Sequence, residues 1–222
     1  MSGWPSSAAE LIASQLALAS AAPPAWRPRV GARVGACFVC FERGPSGPGR
    51  RGDRAWAGAA VGREVSVVEG AAGAGYEAGQ LALREGPLLE AAVRALAEPP
   101  DVLLVNATGR DHPRRAGLAL HLGRVLNLPT VGVTHRTLVA AGDWPPDERG
   151  AEAPLVLEGE LVGYWLRTKR GVRPLAVHSA WRTDPDTAAA IVLAAVRRAR
   201  TPEPLRVARR AARTARERGG DR

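Results

Sequence analysis

The 222-residue sequence is poor in cysteine, aromatic residues and lysine, and it has no long apolar run. Its two cysteines, Cys37 and Cys40, are too few for a disulfide framework, which favours a reducing compartment. On a strand, their spacing turns the thiols to opposite faces, so a zinc site is not expected. Nothing approaches the roughly 18 apolar residues of a membrane span, and the first residues, MSGWPSSAAE, lack the features of a secretory signal. These absences predict a cytoplasmic protein without a membrane partner.

Acidic residues are also in the minority. The chain has 31 Lys and Arg against 22 Asp and Glu, which gives a formal net charge of +9 and a pI of about 11.1. A basic surface suits a polyanionic partner, and nucleic acid is the usual one. All the basic residues except Lys169 are arginine in a chain rich in Ala, Gly and Pro, so GC-rich coding is an alternative origin of the charge. The oligomeric state is left open.

The order of the apolar runs predicts a single α/β domain over residues 1–222, with a mixed sheet flanked by helices. A meander of three strands comes first, and strands and helices then alternate. A loop rich in Gly and Pro is expected over 45–54, and a basic final helix over 204–218 with a mobile basic tail from about residue 207. The other expected elements are strands at 33–41, 55–61, 65–69, 102–105, 130–133, 155–157, 162–167 and 173–177, and helices at 79–97 and 184–198.

The stretch Asp101–Leu122 predicts a strand, a polar loop and a helix in direct succession. Its apolar run VLLV is typical of a strand that is covered on both faces. The loop that follows contains Asn, Thr, Asp, His and Arg. Ligands bind outside the carboxyl ends of such strands in open α/β sheets, so this loop is the first candidate for a functional site.

The same residues resemble the endonuclease V family. The run VNATGRDHPRRAGLALHLG is similar to the family segment Val-Asp-Gly-x-Gly-x-x-His-Pro-Arg-Arg and the helix after it. Four more matches follow the family order: LREGP at Leu83–Pro87, LPTVGVT at Leu128–Thr134, HSAWRTDPDTA from His178, and TPEPLR at Thr201–Arg206. Together the five motifs extend the resemblance over most of the chain.

This resemblance implies a ribonuclease H-like core and a role in nucleic-acid repair. The implied reaction is Mg²⁺-dependent cleavage of a phosphodiester on the 3′ side of deoxyinosine or inosine, with Mn²⁺ as an alternative ion. The implied partner is DNA or RNA that contains inosine. Magnesium ions in such sites are held by carboxylates together with substrate phosphates.

Of the three carboxylates that the family uses for the metal, this sequence matches one. Glu85 lies at the family's glutamate, whereas the first-strand aspartate falls on Phe38 and the third position on Asn106. A phenyl ring cannot coordinate magnesium, and an amide oxygen brings no charge. Glu85 and Asn106 are therefore the predicted metal ligands and part of the catalytic site, with weakened Mg²⁺ affinity. The alternative for Glu85, from the residues alone, is a solvated pair with Arg84.

Two histidines complete the predicted catalytic set. His112 matches the family motif, and the alternative is a histidine that orients its loop through hydrogen bonds. His135 falls where many family members have lysine, and a histidine is charged only when it is protonated. Asp184 and Asp186 begin a helix that approaches the site in this family, although acidic residues at a helix N-terminus are more simply explained by the helix dipole.

Contacts to the nucleic acid are predicted at six further positions. Tyr76 aligns with the family's tyrosine wedge, without the prolines that flank it there, and an aromatic ring can stack on a base. Gly79 and Gly109 are expected to let a base approach the backbone, and the arginines are expected to bind phosphate. The six residues are Tyr76, Gly79, Gly109, Arg114, Arg136 and Arg182.

Three functions remain open at this point. The first is an active endonuclease, and the second is a catalytically impaired relative that binds DNA or RNA. The third is an unrelated activity in the same pocket that uses Asp111 and His112. The basic C-terminal run RVARRAARTARERGG either contacts phosphates or is a solvated helix.

Overall fold

A computed structural model describes residues 3–42 and 48–219. The first residues of the expected 45–54 loop and the last three residues of the expected tail lie outside this range. Within it the strands are β1 (Val34–Phe41), β2 (Arg54–Val61), β3 (Glu64–Ala71), β4 (Val102–Val105), β5 (Thr130–Thr134), β6 (Glu152–Leu157), β7 (Glu160–Leu166) and β8 (Leu175–Ser179). The helices are α1 (Ala8–Ala19), α2 (Leu81–Arg94), α3 (Leu118–Leu126), α4 (Pro185–Ala195) and α5 (Glu203–Gly219).

These strands form one mixed sheet in the order β3-β2-β1-β4-β5-β8-β7-β6. The first three make the expected antiparallel meander. β1, β4 and β5 run parallel, so their carboxyl ends meet at one edge of the sheet, which we call the carboxyl edge. β8 runs antiparallel to β5 and therefore starts at the carboxyl edge and ends at the opposite one.

Helices cover both faces of the sheet, which explains why β4 is apolar throughout. Leu103 and Val105 pack in the core under α1, α2 and α3. Val102 and Leu104, which point the other way, pack in the core under α4 and α5. The expected mixed sheet flanked by helices is thus confirmed. Because helices cover both of its faces, all four residues of β4 are buried and apolar.

The last helix includes most of the basic tail that the sequence predicts to be mobile. α5 continues to Gly219 and packs against β1 and β2, with Leu205, Ala208 and Ala212 buried. Gly58 on β2 makes this close approach possible, because a Cβ there would lie 2.7 Å from the carbonyl oxygen of Ala208. Small residues at every third or fourth position, Ala208, Ala212 and Ala215, let the helix lie directly on the sheet.

The two cysteines lie on opposite faces of β1, as their spacing on a strand predicts. Cys37 belongs to the core under α2, and Cys40 packs with Trp56 and Ala212 under α5. Both are free thiols. Among the helices of the described residues, none has the length and apolar character needed to cross a membrane.

Candidate functional site

Asn106 follows β4 at the carboxyl edge, and Phe38 lies beside it on the neighbouring strand β1. Arg209 reaches both of them from α5. Its Nη2 lies 3.4 Å from Asn106 Oδ1, and its guanidinium is 4.9 Å from the centre of the Phe38 ring. A second guanidinium, that of Arg213, lies 5.9 Å from the same ring. Two of the three positions that the resemblance assigns to metal carboxylates are therefore neighbours, and one arginine contacts both.

Glu85 lies on α2, which covers the other face of β1. Its carboxyl group is next to Cys37, whose thiol pKa is raised by burial and by this neighbouring charge. Burial also raises the pKa of Glu85 to about 7, against a smaller opposing effect of Arg84. The side chain is therefore harder to ionise than an exposed glutamate.

The groups at these positions do not fit a magnesium or manganese ion. Mg²⁺ prefers near-octahedral oxygen ligands that include carboxylates. Here the oxygen of Asn106 faces the Arg209 guanidinium, whose positive charge opposes a second cation. Within residues 3–42 and 48–219, no group of three or more His, Cys, Asp and Glu side chains is arranged to hold a metal. The only carboxylate among the three positions is that of Glu85 on α2.

A pocket opens beside Asn106, between the loop that precedes α2 and the loop that follows β4. Tyr76, Gly79, Thr108 and Leu138 are among the residues that line it. Tyr76 is 55% exposed, so its ring is available for stacking. The structure thus brings the predicted wedge and Gly79 together with Asn106 around a pocket of about 180 Å³.

The carbonyl oxygen of Gly79 accepts hydrogen bonds from three side chains. The donors are Gln15 Nε2 at 3.1 Å, His112 Nε2 at 3.2 Å and Arg114 Nη2 at 3.0 Å. Arg114 also donates from its backbone N–H to His112 Nδ1 at 3.1 Å and from Nε to Gln15 Oε1 at 2.6 Å. Both ring nitrogens of His112 are therefore engaged within the protein, which favours the loop-orienting alternative. Gly79 has a φ of +76°, a conformation that suits glycine.

Gln15 was not predicted as a site residue. It is almost fully buried on α1, a helix whose other buried residues, Leu11 and Leu18, are apolar. A buried glutamine needs partners for its amide, so a glutamine on the apolar face of a helix is the signal that could have identified it.

Asp111 has a structural role. Its carboxylate is buried and accepts hydrogen bonds from the backbone N–H groups of Leu138, Val139 and Ala140 at 2.7–2.8 Å. The buried His178 approaches it, but the 3.7 Å from Nδ1 to the carboxylate is longer than a hydrogen bond. Burial lowers the pKa of His178, so this histidine is neutral at pH 7. Asp111 therefore anchors a loop, and the proposed activity of Asp111 with His112 has no support in this arrangement.

Two other acidic candidates belong to α4. Asp184 is its N-cap and accepts a hydrogen bond from the backbone N–H of Thr187 at 2.7 Å. Asp186 accepts a hydrogen bond from the hydroxyl of Tyr164 at 2.7 Å. Both have local partners, which agrees with the helix-terminus explanation.

His135 and Arg136 follow β5 at the carboxyl edge, and both are exposed. Partial loss of solvent around its ring and the charges of Arg200 and Arg209 lower the pKa of His135. The histidine at the family's lysine position is thus neutral at pH 7 and close to two arginines. Arg200 was not among the predicted site residues, and no motif pointed to it.

Two predicted contacts lie elsewhere. A Cβ on Gly109 would lie 2.1 Å from the carbonyl oxygen of Ser179, so this glycine allows close packing against β8 rather than the approach of a base.

Arg182 lies beyond the end of β8, next to Pro24, whose carbonyl oxygen accepts a hydrogen bond from Arg182 Nε at 3.3 Å. Thr130, at the start of β5, donates its N–H to the carbonyl oxygen of Trp181. Arg182 is therefore at the edge opposite the site, because β8 runs antiparallel to β5.

Comparison with known proteins places this chain in a recognised family. The family model described as Endonuclease V matches residues 59–210. The chain is similar to the endonuclease V of Roseiflexus sp. (strain RS-1), with 44% identity over 133 residues. That alignment covers 60% of this chain and 60% of the relative, so it extends over somewhat less than two thirds of the relative's length.

Solved structures give the same result over the full fold. The crystal structure of the endonuclease V from Streptomyces avermitilis superposes with a TM-score of 0.85 at 32% identity and covers 99% of this chain and 97% of that one. The Ciona intestinalis endonuclease V, in complex with a 24mer DNA that contains an inosine followed by a ribo-adenosine, has a TM-score of 0.77 at 19% identity, with 95% and 98% covered. The mixed sheet with helices on both faces is thus of the ribonuclease H-like class.

Proposed function

The chain belongs to the endonuclease V family, and we propose that it binds nucleic acid containing inosine with little or no metal-dependent cleavage. The observation that carries this proposal is the position of Arg209 against both Phe38 and Asn106. A guanidinium there supplies the positive charge that a divalent ion would otherwise bring. It can bind a phosphate, but it cannot lower the pKa of a bound water as a metal does.

Recognition of the base is assigned to the pocket beside Asn106. An extruded base needs a pocket, a flat stacking partner and polar groups at its edge. Tyr76 offers the aromatic ring, and Asn106 and Thr108 offer polar side chains. The network around the Gly79 carbonyl holds the wedge loop in place without the flanking prolines of the family. The Ciona intestinalis relative was crystallised with DNA containing inosine, which supports hypoxanthine as the base.

Cleavage dependent on Mg²⁺ or Mn²⁺ is the competing function. It would rest on Glu85, the one carboxylate retained from the family pattern. Two features weigh against it: the guanidinium at Asn106 and the replacement of the other two carboxylates by Phe38 and Asn106. A remnant of this kind should hold the ion weakly.

The test separates binding from cleavage on the same substrate. An end-labelled oligonucleotide with one inosine is incubated with the protein and Mg²⁺ or Mn²⁺, in DNA and RNA forms, and analysed on denaturing and native gels. The controls are the same oligonucleotide with guanine and the variant Glu85→Ala. We expect a shift that prefers inosine and no cleavage beyond that of Glu85→Ala. Cleavage that Glu85→Ala abolishes would establish the nuclease, and the absence of any shift would refute the binding function.

A further inference from the structure

A basic cleft lies on the side of Asn106 that faces α5. Its lining contains five arginines and one glutamate, Glu217. The arginines are Arg200, Arg206, Arg209, Arg210 and Arg213. Among the described residues, Arg206 is the only one of these five with a salt bridge, to Glu203 at 2.6 Å. The cleft therefore carries a strong positive potential at the carboxyl edge.

Three of these arginines are held at the cleft without a carboxylate partner. Arg200 donates from Nη2 to the carbonyl oxygen of Pro174 at 2.7 Å. The guanidiniums of Arg209 and Arg213 lie over the Phe38 ring, 4.9 and 5.9 Å from its centre. None of the three forms a salt bridge within the described part of the chain. The buried Nε atoms of Arg200 and Arg209 have no hydrogen-bond partner there either. Burial of guanidinium groups without compensating negative charge is costly, so the arrangement suits an anionic ligand.

The cleft and the base pocket share one residue. Asn106 lines the pocket that contains Tyr76 and Gly79, and it also contacts Arg209 in the cleft. A nucleotide whose base enters the pocket would thus place its backbone close to the guanidinium groups. Arginine is well suited to this task, because its planar fork can bind two phosphate oxygens at once.

We propose that Arg200, Arg209 and Arg213 form a phosphodiester-binding site that replaces the divalent ion, so that this chain binds its nucleic-acid strand without a metal. The proposal rests on the proposed function and deepens it by naming the group that is bound and the residues that bind it. The phenyl ring of Phe38 is then a platform that orients two guanidiniums, and the amide of Asn106 positions Arg209 without neutralising it. The loss of two carboxylates removes the metal site, and the arginines take over the binding of the phosphate.

The test is a fluorescence-anisotropy titration of a labelled single strand with one inosine, in Mg²⁺ and in EDTA, over a series of salt concentrations. The variants are Arg209→Gln and Arg213→Gln, and thermal melts verify that they fold. Arg213 is exposed, so its replacement should leave the fold intact. The matched control is Arg63→Gln, which makes the same change of charge in the exposed turn between β2 and β3, at the edge opposite the site.

We expect EDTA to change the affinity of the wild type by less than about twofold, since no metal takes part. Each cleft variant should weaken binding by about 10- to 100-fold, the usual effect of losing hydrogen bonds to a charged group. It should also reduce the salt slope by about 0.7, as for one lost phosphate contact on a single strand. Cleft variants that bind as well as Arg63→Gln, or binding that EDTA abolishes, would overturn the proposal.

A second probe tests the anion site of the cleft independently of the proposed binding of inosine-containing nucleic acid. If the wild type binds no oligonucleotide, the proposed function fails, and the cleft is then tested with inorganic pyrophosphate in a thermal-shift assay. A rise in melting temperature that Arg209→Gln removes would support the anion site on its own. No rise in the wild type would refute it.

Discussion

Replacing Glu85 with glutamine tests whether this carboxyl group is a metal ligand or a buried acid. The pKa of Glu85 in the folded protein is about 7, compared with an ordinary value of 4.5. A folded state that raises the pKa of an acid binds more protons than the unfolded state. The stability therefore falls as the pH rises from about 4.5 to about 7 and stays low above that range. Glutamine, which is neutral at every pH, removes this loss.

The size of the effect follows from the two pKa values. Their difference corresponds to about 3 kcal/mol of destabilisation once the group is fully ionised, at about pH 8 and above. At about pH 5 most of the penalty is absent, so Glu85→Gln should there be close to neutral. The variant should therefore gain about 3 kcal/mol over the wild type between the two conditions.

The assay is urea unfolding of both proteins at low and high pH, in EDTA and in millimolar Mg²⁺. Taking the difference between variant and wild type removes the contributions of all other titrating groups. An equal difference at the two pH values would refute the buried-acid account of Glu85. A pH dependence that Mg²⁺ abolishes in the wild type would show that the ion binds the carboxylate, against the site described above.

Three further predictions concern the arginine, the wedge loop and the last helix. The double variant Phe38→Asp, Asn106→Asp should gain no Mg²⁺ affinity in calorimetry, because Arg209 pairs with the new carboxylates. Adding Arg209→Ala to it should produce Mg²⁺ binding. Equal Mg²⁺ affinities of the double and the triple variant would contradict this. Gln15→Ala removes a donor to the Gly79 carbonyl and the acceptor of the Arg114 side chain, so hydrogen exchange in the loop before α2 should accelerate; unchanged exchange would show that the network does not hold the loop. Truncation after Arg206 should lower the melting temperature by about 10 °C or more in circular dichroism, because it removes buried residues of α5. An unchanged melting temperature would support the prediction of a mobile tail.

Much of the fold follows from local patterns in the sequence. The apolar run of β4 and the meander before it lie where the sequence predicts them, because burial on both faces demands continuous apolar residues. β8, predicted at 173–177, lies at Leu175–Ser179 and runs antiparallel to β5. Its position and direction place Arg182 at the edge opposite the site. Strand direction depends on long-range pairing, which no local pattern contains.

The site was predictable only in part, for a similar reason. The motifs align Phe38, Glu85 and Asn106 with the family positions, and the wedge loop with its pocket follows from the same alignment. Arg209 lies 103 residues after Asn106, on a helix whose periodicity defines its buried face but not the strands beneath it. Gly58 and the alanines of α5 determine how closely the helix approaches β1 and β2. The meeting of arginine, phenyl ring and amide is therefore a product of tertiary packing.

The most direct test of the central claim is a titration of Mn²⁺ into the protein, followed by electron paramagnetic resonance. Mn²⁺ tolerates imperfect oxygen sites, and its resonance signal measures the concentration of free ion, so even a weak site would be detected. We expect no saturable binding that differs between the wild type and Glu85→Gln. A stoichiometric site that Glu85→Gln removes would contradict this expectation, because the carboxylate of Glu85 would then hold a divalent ion despite the loss of the other two carboxylates.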